Sequence, residues 1–292
     1  PIYLEGTLYS GQSFRWNPVQ EQTSQAPIWH EGIIHGQRIQ LTSKMTKGSI
    51  CVKGDPDPYT QILVSDYLRL EDNLKMIYKD IESDNFVRNA IHKYKGLHLL
   101  RQDPWECLIT FICSANNNIP RIKLLVESIS KTAGTKLNSE GSEYFSFPTP
   151  TQLSELTESD LRGIGLGFRA KYVAKTTNII FRNNINLLDM RKLPYDETLD
   201  FLNSLPGVGD KIANCVLLFS LDKLEAFPID VWIQRVLRER YLPVNKTHVP
   251  NSKLRSWAQN RFGPFSGYVN QYLFHSRRLA GSKIQRNGKS SQ

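Results

Sequence analysis

Two apolar helical patterns meet at a proline and two glycines in "YDETLDFLNSLPGVGDKIANCVLLFSL", residues 195–221. Pro206 ends the first helix, because its ring fixes φ and removes a backbone donor. Gly207 and Gly209 permit positive φ and close backbone approach, so the second helix can turn back at once. The stretch therefore predicts helix, tight corner and helix, with the facing sides buried in a substantial core. Upstream, "LRGIGLGFRAKYVAKTTNII", residues 161–180, repeats the design with its own glycine turn leading into a helix.

A helix that starts directly after such a turn presents unpaired N–H groups and the positive end of its dipole, which together hold a phosphate. The hairpin thus predicts a sequence-independent grip on a nucleic-acid backbone. The plainer alternative is a structural turn. Lys211 sits in the first turn of the second helix, where a cation is disfavoured by about 0.3–1 kcal/mol. The same field, helped by partial burial, favours the neutral amine, and a neutral amine is a nucleophile. Otherwise its head simply reaches solvent or a phosphate. Further on, Asp230 follows Pro228 in "FPIDVWIQRVLRER", at the N-cap position of a strongly periodic helix. A carboxylate fixed there and facing Lys211 across a cleft can stabilise positive charge developing on a sugar and assist proton movement.

The first fifty or so residues read differently. "IYLEGTLYS", "SFRWNP", "IWHEGIIHG", "RIQLTS" and "SICVKG" are short, rich in β-branched and aromatic residues, and broken by Gly, Asn and Pro, which predicts an antiparallel sheet. After "GDPDPYT" the spacing of Leu63, Tyr67, Leu70, Leu74, Ile77, Tyr78 and Ile81 becomes helical. Asp103 and Pro104 open another helix, and a further one should run from Pro120 to a stop at Gly134. "KLNSEGSEYFSFPTPTQ" reads as loop, with a helix starting in "TPTQLSEL". The expected fold is α+β: an N-terminal antiparallel sheet packed on a mainly α-helical body with a helix-hairpin-helix. Residues 1–98 are expected as an N-terminal domain and 99–280 as a helical domain with the hairpin at about 196–220. Residues 281–292 are expected as a basic, disordered tail.

Lys and Arg number 37 against 28 Asp and Glu, a net charge of +9 with a pI near 9.3, which favours a polyanionic partner. The excess lies late, in Arg255, Arg261, Arg277, Arg278, Lys283, Arg286 and Lys289. No apolar run approaches the roughly 20 residues of a membrane-spanning helix, and nothing marks the chain for export. An intracellular protein is expected, nuclear in a eukaryote and otherwise cytoplasmic. The four cysteines, Cys51, Cys107, Cys113 and Cys215, are scattered, and the six histidines form no Cys/His pairs at zinc spacing.

These motifs carry a resemblance. "SGQSFRW" (Ser10–Trp16), "PWECLITFICSANNNIPRI" (Pro104–Ile122), "GLGFRAKYV" (Gly165–Val173), "LPGVGDKIANC" (Leu205–Cys215), "PIDV" (Pro228–Val231), "GPFSGY" (Gly263–Tyr268) and Leu273-Phe274 occur in order. The chain resembles the helix-hairpin-helix DNA glycosylase superfamily with its Gly/Pro loop and following Asp, and within it the eukaryotic-type 8-oxoguanine DNA glycosylase/lyases. The four-cysteine cluster of the superfamily's iron–sulfur members is absent from the sequence.

The resemblance implies that Lys211 attacks the sugar C1′, expels the damaged base and forms a Schiff base that permits β-elimination, supported by Asp230. The base must be flipped out of the duplex. Gly11 would offer the backbone carbonyl that accepts from N7–H of 8-oxoguanine, a proton guanine lacks, while Cys215 and Phe274 sandwich the base. Asn116 would fill space beside the flipped nucleotide, Arg121 and Arg169 would read the orphaned cytosine, and Phe168 would intercalate where the family usually has tyrosine. Gly207 and Gly209 would grip phosphate.

Three departures stand out. Asn270, with Gln271 beside it, occupies the place of the family's base-reading glutamine, one methylene shorter. Trp232 replaces a phosphate-contacting histidine, offering one N–H and no charge. The leading segment is minimal and the stretch from Val244 to Gly263 short, so some peripheral contacts are expected to be missing. No cofactor is expected to be required, though a monovalent or calcium ion at the hairpin backbone is compatible with the resemblance. The expected partner is double-stranded DNA containing oxidised guanine, bound by a monomer. Two other readings are a superfamily glycosylase for a different lesion and a non-catalytic damaged-DNA-binding protein; Lys211 together with Asp230 argues against the second.

Overall fold

The computed structural model describes residues 1–19, 27–43, 49–54, 56–137, 143–242 and 249–287, with side chains as far as Ala280. A four-stranded antiparallel meander, β1 (Asn17–Val19), β2 (Trp29–Ile34), β3 (Gln37–Ser43) and β4 (Ile50–Val52), lies near the N-terminus. Its register pairs His30 with Leu41 and Leu41 with Val52. His35 and Gly36 both take positive φ between β2 and β3, the two-residue turn whose twist matches that of paired strands.

One expectation fails here. Ile2–Ser10 is not a strand: Leu4–Tyr9 forms a helix, α1. Leu4 and Leu8 are both buried, one helical turn apart, and the Tyr3 N–H bonds to Gly96 O at 2.7 Å. Burial of that face and the tie to a distant loop outweigh the local β propensity. Of Ser13–Pro18, only Asn17 and Pro18 join the sheet. α1 and the sheet share a small core of Leu4, Leu8, Trp16, Ile34, Ile39, Leu41, Val64, Tyr67, Leu68 and Leu100.

The body is helical. It comprises α2 (Pro58–Tyr67), α3 (Leu74–Ile81), α4 (Asn85–Lys93), α5 (Pro104–Cys113), α6 (Ile119–Ala133), α7 (Pro150–Ser154), α8 (Glu158–Gly163), α9 (Arg169–Arg182), α10 (Tyr195–Ser204), α11 (Asp210–Ser220), α12 (Val231–Tyr241), α13 (Asn251–Phe262) and α14 (Ser266–Asn287). Asp103 caps α5 by accepting from Glu106 N, with Pro104 in the first turn. α6 closes at Gly134 as expected. Thr149 and Gln152 form a capping box on α7. The expected loop carries a two-residue ladder, β5 (Lys136–Leu137) with β6 (Tyr144–Phe145); residues 138–142 lie outside the described residues.

α5 is buried along its length except at Glu106 and packs against α6, α9 and α11. It delivers the Ser114–Asn118 turn to the site. α3 and α4 join the large helical core, and α4 packs on α14. The apolar packing therefore groups residues 74–94 with the body rather than with the sheet. α14 continues to Asn287, inside the stretch expected as a tail; residues 288–292, the side chains of Lys283 and Arg286, and Val244 lie outside what is described.

Candidate active site

The corner between α10 and α11 differs from its expected form in one respect. Gly207 has φ +79, and a Cβ there would stand 2.5 Å from Tyr172 Cβ, so both conformation and packing demand glycine. Gly209 has φ −101, an extended conformation open to any residue, with nothing within 4 Å of an added Cβ. α11 starts at Asp210, and Gly209 at the cap position offers no side chain to it, leaving its first N–H groups available for an anion.

Lys211 projects from this first turn. Its Nζ donates to Ser114 Oγ at 3.1 Å and lies 5.2 Å from the centre of the Phe111 ring. The Ser114 hydroxyl itself donates to Phe111 O at 2.7 Å, so an oxygen lone pair faces the amine. Asp230 caps α12: its Oδ1 accepts from Trp232 N at 3.0 Å and Ile233 N at 2.8 Å. Burial pushes its carboxyl above the ordinary aspartate range, opposed by the Ile233 N–H and the Lys211 cation. Lys211 and Asp230 line the same cavity.

Asn214 ties their two elements together. Fully buried one turn after Lys211, it donates to Asp210 O at 2.8 Å and accepts from Tyr195 Oη at 2.8 Å and Phe227 N at 3.3 Å. The Phe227–Asp230 segment is thereby fixed to α11. On the other side, Arg255 of α13 pairs with Asp210, whose carboxyl is raised by burial and lowered in part by that arginine.

The cavity is lined by Gly11, Cys215, Phe274, Asn270, Gln271 and Pro228 in addition to the two charged residues. Gly11 has φ +86, and an added Cβ would come 3.2 Å from the Phe274 ring. Burial pushes the Cys215 thiol up to about 11, so this wall is a neutral thiol. Asn270 Nδ2 donates to Pro228 O at 2.9 Å, which turns its oxygen to the opposite side of the amide. The cavity measures about 60 Å³. Two wider spaces adjoin it, of about 310 Å³ toward Ile119 and Arg278 and about 790 Å³ between the Ser114–Asn118 turn and the start of α12.

The remaining expected residues line or flank this groove. Asn116 is exposed with φ +52, a conformation asparagine tolerates. Arg169 is buried, its Nε donating to Ala115 O at 2.8 Å and its Nη2 to Asn116 O at 2.9 Å. Nη2 also bonds Ala115 O, so Nη1 alone is left for another acceptor. Arg121 is exposed and donates to Gly165 O at 3.1 Å. Phe168 is 50% exposed, with the Arg169 guanidinium 4.5 Å from its ring centre. Trp232 faces the groove with Arg235 5.4 Å from its ring.

Sequence reading missed Ser114, Phe111, Asn214 and the Asp210–Arg255 pair. Only Asn214 carries a local signal, a polar residue within the apolar run of α11. Among the described residues no three His, Cys, Asp or Glu side chains converge to hold a metal, and no helix is long and apolar enough to cross a membrane.

Two family descriptions match in tandem: the N-terminal domain of 8-oxoguanine DNA glycosylase over residues 1–108, and the HhH-GPD superfamily of base excision DNA repair proteins over 109–258. The Arabidopsis thaliana N-glycosylase/DNA lyase OGG1 is 31% identical over 286 residues, covering 94% of this chain and 76% of that protein. The Saccharomyces cerevisiae N-glycosylase/DNA lyase is 30% identical, covering 85% and 71%. Among solved structures, the Clostridium acetobutylicum 8-oxoguanine glycosylase/lyase bound to double-stranded DNA with cytosine opposite 8-oxoG superposes with a TM-score of 0.87. It is 32% identical and covers 96% of this chain and 93% of that one. With the lysine, the aspartate and the hairpin around one cavity, the chain belongs to the N-glycosylase/DNA lyase family of the HhH-GPD superfamily.

Proposed function

We propose that the protein removes 8-oxoguanine paired with cytosine from duplex DNA and then cleaves the strand, acting as a bifunctional DNA glycosylase and AP lyase. The observation that carries this reading is that Lys211, Asp230 and Gly11 line a single cavity walled by Cys215 and Phe274. A non-catalytic binding protein has no use for an amine and a carboxylate lining one such cavity.

In the proposed reaction Lys211 Nζ gives up a proton and attacks C1′ of the flipped nucleotide. The C1′–N9 bond breaks, its electron pair leaves with the base, and the leaving base takes up a proton. Asp230 as carboxylate stabilises the positive charge that builds on the sugar. Loss of a proton from nitrogen and opening of the sugar ring leave a Lys211–C1′ imine; removal of a C2′ proton then expels the 3′ phosphate. Ser114 holds the amine beside the ring of Phe111 before attack.

Reading of N7 rests on a single acceptor. Ser10 O and Gln12 O each already accept one hydrogen bond, from Gln271 Nε2 and Gln102 Nε2, whereas among the described residues no donor occupies Gly11 O. That carbonyl would accept N7–H of 8-oxoguanine, and it meets only a lone pair on guanine. Asn270 Oδ1 would accept from the Watson–Crick edge. The hairpin grips phosphate, and Phe168 fills the space the base vacates.

An ion at the hairpin belongs to the same proposal. Its ligands would be backbone carbonyls of the corner, where Leu205 O already accepts Val208 N–H and Pro206 O the Thr176 hydroxyl, each keeping a second lone pair. Such an ion would offset phosphate charge. Replacing alkali ions with a bulky organic cation at constant ionic strength should weaken DNA binding and leave cleavage of bound duplex unchanged.

The test of the main reading is a set of duplexes with a single 8-oxoguanine opposite each base in turn. Excision with strand cleavage, fastest opposite cytosine, is expected. Cleavage confined to alkylated or deaminated bases would replace this reading with another superfamily glycosylase.

A further inference from the structure

α14 closes the cavity with two adjacent amides that point to opposite walls. Asn270 Nδ2 donates to Pro228 O, on the wall that ends in Asp230. Gln271, 2% exposed, donates from Nε2 to Ser10 O at 3.2 Å and to Ser10 Oγ at 2.7 Å, on the wall that carries Gly11. The partners in that second clamp are far apart in sequence, so nothing local in the chain positions them.

The Ser10–Gln12 turn is held from the remaining directions by another glutamine. Gln12, fully buried, donates to Thr7 O at 3.1 Å, Ser10 Oγ at 3.1 Å and His98 O at 2.9 Å, and accepts from Leu100 N at 2.9 Å. Its own carbonyl is taken by Gln102 at 2.8 Å. Gly11 stands between two pinned residues at φ +86, a conformation that glycine adopts freely and that leaves its backbone free to rotate unless both neighbours are fixed. Gln12 holds the Gly11–Gln12 peptide, which carries the Gly11 carbonyl, and also reaches Ser10 Oγ; the carbonyl of the preceding Ser10–Gly11 peptide is held by Gln271.

We propose that Gln271 is a positioning residue for base selection, clamping the Ser10–Gly11 peptide to α14 so that the Gly11 carbonyl keeps its aim into the cavity. This deepens the functional reading above and rests on it. Because Gln271 spends its donors on Ser10, it does not read the base with them, and by occupying Ser10 O it leaves one unfilled acceptor in the turn. Discrimination between an N7–H and a bare N7 then depends on one carbonyl in one orientation. Losing the clamp lets that carbonyl swing, which weakens capture of the oxidised base more than it alters the amine chemistry.

The test is Gln271→Leu, which keeps the side-chain bulk and removes both donors, read in two assays on the full chain. The first measures single-turnover excision of 8-oxoguanine and of guanine from otherwise identical duplexes. The second measures borohydride trapping on a duplex with a preformed abasic site, which has no base to read. Excision of 8-oxoguanine is expected to fall about tenfold, the size of a lost buried hydrogen bond, and the preference over guanine to narrow, while abasic-site trapping stays at the wild-type level. An unchanged preference overturns the proposal. So does a parallel loss of trapping, which would make Gln271 a structural residue only. Ser10→Ala removes the Oγ partner with little change in bulk but keeps the bond to Ser10 O, so it should narrow the preference less than Gln271→Leu does; a larger narrowing in Ser10→Ala would overturn the proposal. Failure of the wild-type protein to trap on abasic DNA would instead overturn the lyase reading.

Discussion

The two glycine turns look alike in sequence and do different work in the structure. Each opens a helix without a side-chain cap, α9 after Gly167 and α11 after Gly209, and each puts a cation in the first turn, Arg169 and Lys211. Both cations reach the same segment, Ser114–Asn116. Arg169 gives its Nε and Nη2 to the carbonyls of Ala115 and Asn116 and is buried there. Lys211 has one hydroxyl partner and an open cavity in front of it. A cation at an uncapped helix start is thus a fastener where carbonyls saturate it, as at Arg169, and keeps its head toward open space where they do not, as at Lys211.

The sharpest way to break this contrast is to remove each cation. Lys211→Gln should reduce strand cleavage to background and move thermal stability little, because one hydrogen bond is lost at the edge of a cavity. Arg169→Gln should leave a measurable lyase rate and lower stability by about 1–3 kcal/mol through the abandoned carbonyls, with weaker preference for cytosine opposite the lesion. Melting curves and cleavage assays on both variants check the pair; equal stability losses would erase the distinction.

Asp230 comes next. Asp230→Asn keeps an N-cap oxygen and should lose most excision. With the carboxyl raised by burial, activity that needs the carboxylate falls as pH drops through a value above the ordinary aspartate range. The sign for stability is opposite: a folded pKa above the unfolded one makes ionisation cost folding free energy as pH rises through that window. Asp230→Asn should therefore be no less stable than wild type at neutral pH while its acid limb of activity is gone, as pH–rate and pH–melting profiles would show.

Smaller effects sharpen the comparison. Ser114→Ala frees the amine and should slow excision about tenfold, with binding of duplex retained. Gly207→Ala forces a side chain into the left-handed region against Tyr172, costing about 1–2 kcal/mol from conformation plus the clash. Gly209→Ala should cost only a few tenths of a kcal/mol, measurable by chemical denaturation, because its backbone is extended and the space above it is open.

Most of the helices were legible because their signals are local: Asp103 and Pro104 for α5, Pro206 and Gly207 for the corner, Asp230 for α12. The meander was legible from its short β-branched runs. α1 was not, since its six residues are held by contacts with Gly96 and the sheet rather than by their own pattern. Family resemblance named the cavity's walls, but not the groups that aim them. Ser114 under Lys211, Asn214 between α11 and Phe227, and Gln271 on Ser10 each join residues distant in the chain. Two of the three donors or acceptors would pass as ordinary polar positions in any helix. The unequal glycines of the hairpin were also hidden, because what separates Gly207 from Gly209 is a dihedral angle and the distant Tyr172 packed over Gly207.

The most direct measurement is borohydride trapping of the wild-type protein on a duplex with 8-oxoguanine opposite cytosine, followed by digestion and mass mapping of the adduct. A single covalent attachment at Lys211, absent from Lys211→Gln although that variant still binds the duplex, is the expected result. Attachment at another amine, or base release without any trapped adduct, would contradict the assignment of Lys211 as nucleophile.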